Sequence, residues 1–225
     1  MPETHDDNPS GFTLWAVWRR DPHTPALDAD VSELETVTAE IEAAGVTVRG
    51  FYDVSGLKAD ADLMVWLHGD TPEGLQSALR RLRRTDMLRT LVPVWNVMGA
   101  HRDAEFNRAH VPGFLRGVEP KQWLCLYPFV RTPEWYLIDE AERRTMLADH
   151  GRKGAAFRGV IANTVAAFAL GDYEWLLPLE SDTPTELVDL MRDLRYTEAR
   201  RYVKEEVPFY TGRRLRIDEI AEVLQ

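Results

Sequence analysis

The chain has a single cysteine, Cys125, in 225 residues. That excludes an internal disulfide and any metal or iron–sulfur centre built from several thiolates. Long apolar runs are missing as well. No stretch approaches the roughly 20 residues that cross a bilayer, and the opening MPETHDDNPSG is acidic and polar, unlike a secretory leader. The expected location is the cytoplasm, with no membrane partner. Positive charge is in deficit, with 27 Lys and Arg against 37 Asp and Glu and a formal charge of −10. Nucleic acid or an anionic membrane surface would repel such a chain, so neither is an expected partner.

What remains is 44% hydrophobic and 28% charged residues, the composition of a globular protein long enough for a sizeable core. The run QWLCLYPFVRTPEWYLIDEAERRTMLADHGRKG, from Gln122 to Gly154, carries the densest chemistry. Trp123, Cys125, Tyr127, Phe129 and Arg131 recur at period two, so a strand here puts a phenol and a guanidinium on one face. After the Thr132–Pro133 turn signal, Trp135 to His150 reads as a helix, with Gly151 and Gly154 as stop signals beyond it. Met146, Leu147 and His150 share one side of that helix. A histidine ending an apolar face beside a phenol and a guanidinium is the equipment of a pocket for a carboxylate-bearing haem.

Residues 1–11 read as a flexible tail. Strands are expected at Phe12–Arg19, Val46–Val54 and Asp62–His68, and helices at Val31–Ala44, stopped by Gly45, and from Pro72 to about Thr85. Val92–Met98 reads either as a strand closing the sheet or as part of the connection after it.

An internal repeat organises these elements. DLMVWLHGDTPEGLQSALRRLRRTD from Asp62 aligns without gaps on EWLLPLESDTPTELVDLMRDLRYTE from Glu174, an offset of 112. Asp70, Pro72, Leu75, Leu82 and Arg83 meet Asp182, Pro184, Leu187, Leu194 and Arg195. In each copy Asp-Thr-Pro opens a helix, threonine as the cap and proline in the first turn, and Thr183 with Glu186 spells a capping box. The order strand, helix, strands, helix predicts an α+β fold of tandem ferredoxin-like repeats, with antiparallel sheets face to face and helices outside. Residues 12–98 form the first repeat, 99–121 a connecting segment able to fold over a pocket, and 122–225 the second repeat with the site. Aligning the copies sets Tyr127 against about Ala16 and His150 against Ala44, so one half carries the chemistry.

At these residues the chain resembles the chlorite dismutase family and, within it, the coproheme decarboxylases of actinobacterial type. The resemblance runs from Phe12 almost to the end. It is strongest over Tyr127–Arg131, Trp135–Tyr136, His150–Gly151, ANTVAAFALGDYEWLLPLE from Ala162 and LRYTEARRYVKEEVPFYTG from Leu194. It implies a dimeric α+β barrel subunit assembled as a homopentamer, with iron coproporphyrin III as substrate and redox centre, hydrogen peroxide as oxidant and haem b as product. By position His150 matches the proximal iron ligand, Tyr127 the redox-active tyrosine and His110 the distal histidine. Arg131 falls where the family places a cation near a propionate, Arg195 and Arg200 lie in the run that helps hold propionates, and Trp135, close to Arg131 in sequence and near the site helix, is expected at the ligand with them. A distal arginine of chlorite dismutases falls where this chain has Asn163–Val165, which points away from chlorite chemistry.

Residue chemistry alone leaves other readings open. His150 is equally a helix-end histidine favoured by the macrodipole, Tyr127 a packing residue, His110 an exposed loop side chain and Cys125 a small buried residue. His5, His23, His68 and His101 carry no matched role. A peroxidase or chlorite dismutase on the same fold, a haem carrier or sensor, and a haemless binding module are the rival functions.

Overall fold

In β1 (Phe12–Arg19), Leu14, Ala16 and Trp18 pack into one buried cluster while Trp15 and Val17 pack into another. This two-sided burial defines the architecture: one face of each strand fills the inside of a barrel and the other faces a layer of helices. The computed structural model describes residues 11–23, 30–102 and 111–225.

In chain order, α1 (Val31–Ala43) and β2 (Val46–Asp53) follow β1, then β3 (Leu63–Gly69), α2 (Pro72–Leu82) and β4 (Val92–Ala100). The later half holds β5 (Trp123–Arg131), α3 (Pro133–Leu137) and α4 (Glu140–Ala155). Next come the short strands β6 (Ile161–Ala162) and β7 (Val165–Ala166), then β8 (Trp175–Ser181) and α5 (Pro184–Leu194). β9 (Val203–Glu205), β10 (Tyr210–Leu215) and α6 (Ile220–Val223) complete the chain. The segment Val92–Met98, ambiguous in sequence, belongs to a strand that pairs with β1 and meets β7 at Ala100 and Ala166.

Among the described residues, eight strands close a ring in the order β4, β1, β3, β2, β10, β5, β8, β7, every pairing antiparallel. Closure leaves the ring without a free edge. β6 and β7 lie along β8 in one register, Ile161 opposite Glu180 and Ala166 opposite Trp175. Asn163 N–H bridges the gap between them by donating to the Pro178 carbonyl at 3.0 Å. β3 and β8 start 112 residues apart, as do α2 and α5.

The barrel interior packs Trp15, Tyr52, Met64, Trp66, Leu124 and Leu176 around Phe114 from the connecting segment. One ion pair is buried among them: Arg49 Nη2 of β2 lies 2.7 Å from Glu180 Oε2 of β8, at 4% and 0% side-chain exposure. Asn163 Nδ2 donates to the same carboxylate at 3.0 Å, and the Arg49 guanidinium lies 4.9 Å from the Trp66 ring centroid. The cost of burying two charges is offset by their contact and by these added partners.

Two local expectations are corrected. Thr71 caps α2 as predicted, accepting from Gly74 N–H at 3.2 Å, but Thr183 makes no side-chain cap on α5. There the Ser181 hydroxyl donates to Glu186 and accepts from Thr183 N–H, so no capping box forms. The expected helix from Trp135 to His150 is two helices broken at Ile138, where Asp139 accepts from the N–H groups of Ala141 and Glu142 and starts α4 anew. α4 then runs through Gly151 and Gly154 to Ala155. Among the described residues no helix is long and apolar enough to cross a membrane.

Candidate active site

β5 alternates as its sequence pattern predicts. Leu124 and Leu126 enter the barrel interior, while Cys125 and Tyr127 pack on the outer face with Leu187 and Leu190 of α5. Tyr127 pairs with Leu177 on β8, and Ala16 pairs with Val65, the residue 112 positions earlier, on β3. Tyr127 thus holds in the later half the place of Ala16 in the earlier one. Around Ala16 that face is filled by Trp18, Leu34, Ile41, Leu75 and Leu82 in one packed cluster. Around Tyr127 the sheet and α4 enclose a cavity of about 680 Å³, a volume suited to a cofactor-sized ligand. A smaller cavity of about 60 Å³ adjoins it and shares Tyr127, Phe129, Arg131 and His150.

The space comes from what α4 omits. Ala148, Gly151, Gly154 and Ala155 line the large cavity, and a Cβ added at either glycine would meet nothing within 4 Å. Each glycine costs the helix roughly 0.5–1 kcal/mol relative to alanine. They are therefore not stop signals but a bare helix face, flat enough for a planar ligand.

His150 of α4 lines both cavities, and its Nδ1 is buried without a hydrogen bond. Burial lowers its pKa, the Arg131 charge adds to that, and Asp149 opposes them. The imidazole is therefore neutral at neutral pH, the form that ligates metal. Among the described residues no group of three or more His, Cys, Asp or Glu side chains is placed to hold a bare ion. A lone neutral imidazole in a large apolar cavity fits an iron already held by a macrocycle, which needs an axial ligand alone from the protein.

Tyr127 is 3% exposed and stacks on Phe209 with centroids 4.5 Å apart and planes 15° apart. Burial raises its phenol pKa, with further upward pushes from Cys125 and Glu206, partly offset by Arg195 and Arg200. The group stays protonated, so it can give up an electron and a proton together rather than react as phenolate. Cys125 is buried beside it, and burial pushes the thiol up to about 11, which makes it an inert packing residue.

Arg131 closes the end of β5. Its Nη1 donates to the Ala199 carbonyl at 3.2 Å, its backbone N–H donates to Glu174 at 2.8 Å, and its guanidinium lies over both Trp135 and Phe129. Trp135, expected at the ligand, lines neither cavity; it is 0% exposed and reaches the site through Arg131. Arg195 and Arg200 line the smaller cavity, where both form ion pairs with Glu206. His110 lies outside the described residues.

Sequence reasoning missed three features. Arg116 and Arg158, both exposed, line the large cavity, and Glu206 lines the smaller one. Arg116 is brought there by a 3₁₀ turn, Gly113–Arg116, of the connecting segment. Phe114 N–H donates to Asn163 Oδ1 at 3.0 Å, and Gly113 sits so close to Ile161 that a Cβ would fall 2.5 Å from its Cγ2. No local pattern marks these residues, because each joins the site through contacts distant in sequence.

A closed antiparallel barrel with its helices outside and a large cavity beneath one of them places the chain by its architecture, and its sequence agrees. It belongs to the chlorite dismutase family, whose sequence profile matches residues 28–215. Within reach of that profile, the coproheme decarboxylase of Mycolicibacterium smegmatis is 51% identical over 191 residues, covering 84% of this chain and 83% of that protein. A double mutant of chlorite dismutase from Candidatus Nitrospira defluvii shares the fold with a TM-score of 0.81 at 20% identity, over 96% of each chain. The same organism's chlorite dismutase in complex with imidazole gives 0.78 at 18% identity, over 96% of this chain and 95% of that one.

Proposed function

We propose that this chain is a coproheme decarboxylase, converting iron coproporphyrin III to haem b with hydrogen peroxide. The observation that carries the reading is that Tyr127 and His150 open onto one cavity of about 680 Å³, alongside 51% identity to a protein of that activity. In each of two rounds, a propionic acid side chain and one hydrogen peroxide become a vinyl group, carbon dioxide and two waters.

His150 holds the substrate iron from one side, as a neutral imidazole. The iron porphyrin supplies the oxidising power once peroxide has reacted with it. Tyr127 gives up an electron and its phenolic proton, and the resulting tyrosyl radical recovers a hydrogen atom from the propionate carbon next to the ring. Carbon dioxide then leaves, and the second electron passes to the oxidised substrate. His110, on the strength of the resemblance, moves the first proton of peroxide, a task for a group titrating near neutrality.

Arg131, Arg195 and Arg200 orient the substrate through its carboxylates, and Trp135 holds the Arg131 plane in place. Arg116 and Arg158 add positive charge along the large cavity. The equal offset of β3 and β8 and of α2 and α5 supports tandem ferredoxin-like units, residues 12–98 and 122–225 joined by 99–121, in a dimeric α+β barrel. The homopentamer is carried by the family resemblance.

In the stretch Asn163–Val165, where the resemblance puts the chlorite dismutase arginine, Thr164 lines the large cavity and the buried Asn163 binds Glu180 and Phe114; the lack of an arginine there favours decarboxylation over chlorite chemistry. The test mixes the protein with ferric coproheme, adds peroxide and follows pigment mass. Two successive losses of carbon dioxide with two hydrogens are expected, and no oxygen from chlorite in a parallel assay. A bound pigment of unchanged mass would make the chain a carrier instead.

A further inference from the structure

Glu206 follows directly on β9, whose pairing with Val130 and Arg131 ties it to the end of β5 beyond Tyr127. Its side chain is 16% exposed and faces both Arg195 and Arg200, the latter at 3.3 Å. All three groups and Tyr127 line the smaller cavity, which adjoins the large one across the shared residues Tyr127, Phe129, Arg131 and His150. An exposed carboxylate would be screened by water; this one is largely shielded and already neutralises much of the charge of the two arginines next to the phenol.

We infer that Glu206 is a resident competitor for the carboxylate of the reacting propionate: it holds Arg195 and Arg200 when the site is empty, yields them to the substrate and reclaims them after decarboxylation. The inference rests on the decarboxylase reading and deepens it. A propionate within reach of Tyr127 also reaches this arginine pair, since all border the same cavity. Exchange of one carboxylate for another keeps both arginines paired throughout. Once the propionate has become a vinyl group, nothing on the product opposes the return of Glu206. Competition by Glu206 thereby loosens coproheme and leaves haem b, which no longer needs the arginine pair, unaffected, making Glu206 a positioning residue that sets how tightly the substrate is held.

The test is absorbance titration of the full chain with ferric coproheme and, separately, with haem b, for the wild type, Glu206→Gln and Glu206→Asp. Glu206→Gln removes the competing charge and is expected to tighten coproheme binding roughly tenfold, with haem b changed by less than about twofold. Glu206→Asp, which keeps the charge, restores a ratio close to wild type. A purely structural role would shift both ligands together. An unchanged ratio in a Glu206→Gln variant that binds coproheme, or weaker coproheme binding, overturns the inference while leaving the decarboxylase reading intact. Failure of the wild type to bind coproheme overturns both. Should Glu206→Gln not fold, Glu206→Ala carries the same expectations.

Discussion

The guanidinium carbon of Arg131 lies 4.0 Å from the ring centroid of Trp135, a fully buried tryptophan that touches neither cavity. The pair is the hinge between core and site. Trp135 packs with Met146, Leu147 and Ala199, so it registers the positions of α4 and of the turn bearing Arg200, and Arg131 transmits that arrangement to the cavity wall.

Arg131→Lys tests this relationship. Lysine keeps the charge but gives up the planar stacking and the forked donors. Coproheme affinity is expected to fall roughly tenfold. Titration at the Soret band measures the loss, and a melting curve close to wild type shows that the barrel is intact.

The glycine face of α4 gives a prediction of opposite sign for stability and binding. Gly154→Ala is expected to raise stability by about 0.5–1 kcal/mol, since the helix gains a better former and the new Cβ enters open space. Gly154→Leu keeps a folded protein but fills part of the large cavity, so stoichiometric coproheme is expected to produce no shifted Soret band.

These glycines also show where a sequence stops being informative. Gly151 and Gly154 after an apolar helix face look the same whether they end the helix or continue it along a cavity. Tyr127 was legible because a period of two fixes its face, and the offset of 112 fixed its counterpart in Ala16. His150 and Arg131 were legible for similar reasons of spacing. Glu206, Arg116 and Arg158 were not, because they enter the site through the end of β9, through the connecting segment and through the turn after α4. Trp135, expected at the site, lies behind Arg131 and lines neither cavity, since closeness in sequence to Arg131 does not say which side of the guanidinium it occupies.

His68 sits partly buried, with its ring 5.1 Å from Phe114, and burial together with Arg49 pushes its pKa down to about 4. A histidine whose folded pKa is depressed below the usual 6.5 favours the fold above pH 6.5 and loses that contribution as pH falls toward 4. The loss is on the order of 3 kcal/mol. His150 acts in the same direction. Denaturant unfolding across this range should show His68→Gln with a flatter acid limb than wild type.

Glu180→Ala strands Arg49 in the barrel interior and removes the shortest of the acceptors for the Asn163 amide. A loss on the order of 3 kcal/mol is expected. Equilibrium denaturation checks it; a loss under about 1 kcal/mol, the value of a solvated pair, would mean that water reaches the site.

The most direct measurement is single-turnover mass spectrometry of the pigment after peroxide is added to ferric coproheme bound by wild type and by Tyr127→Phe. The phenylalanine variant is expected to bind coproheme as the wild type does and to return it with all four carboxyl groups, while the wild type returns haem b. Conversion to haem b by Tyr127→Phe at the wild-type rate would contradict the account.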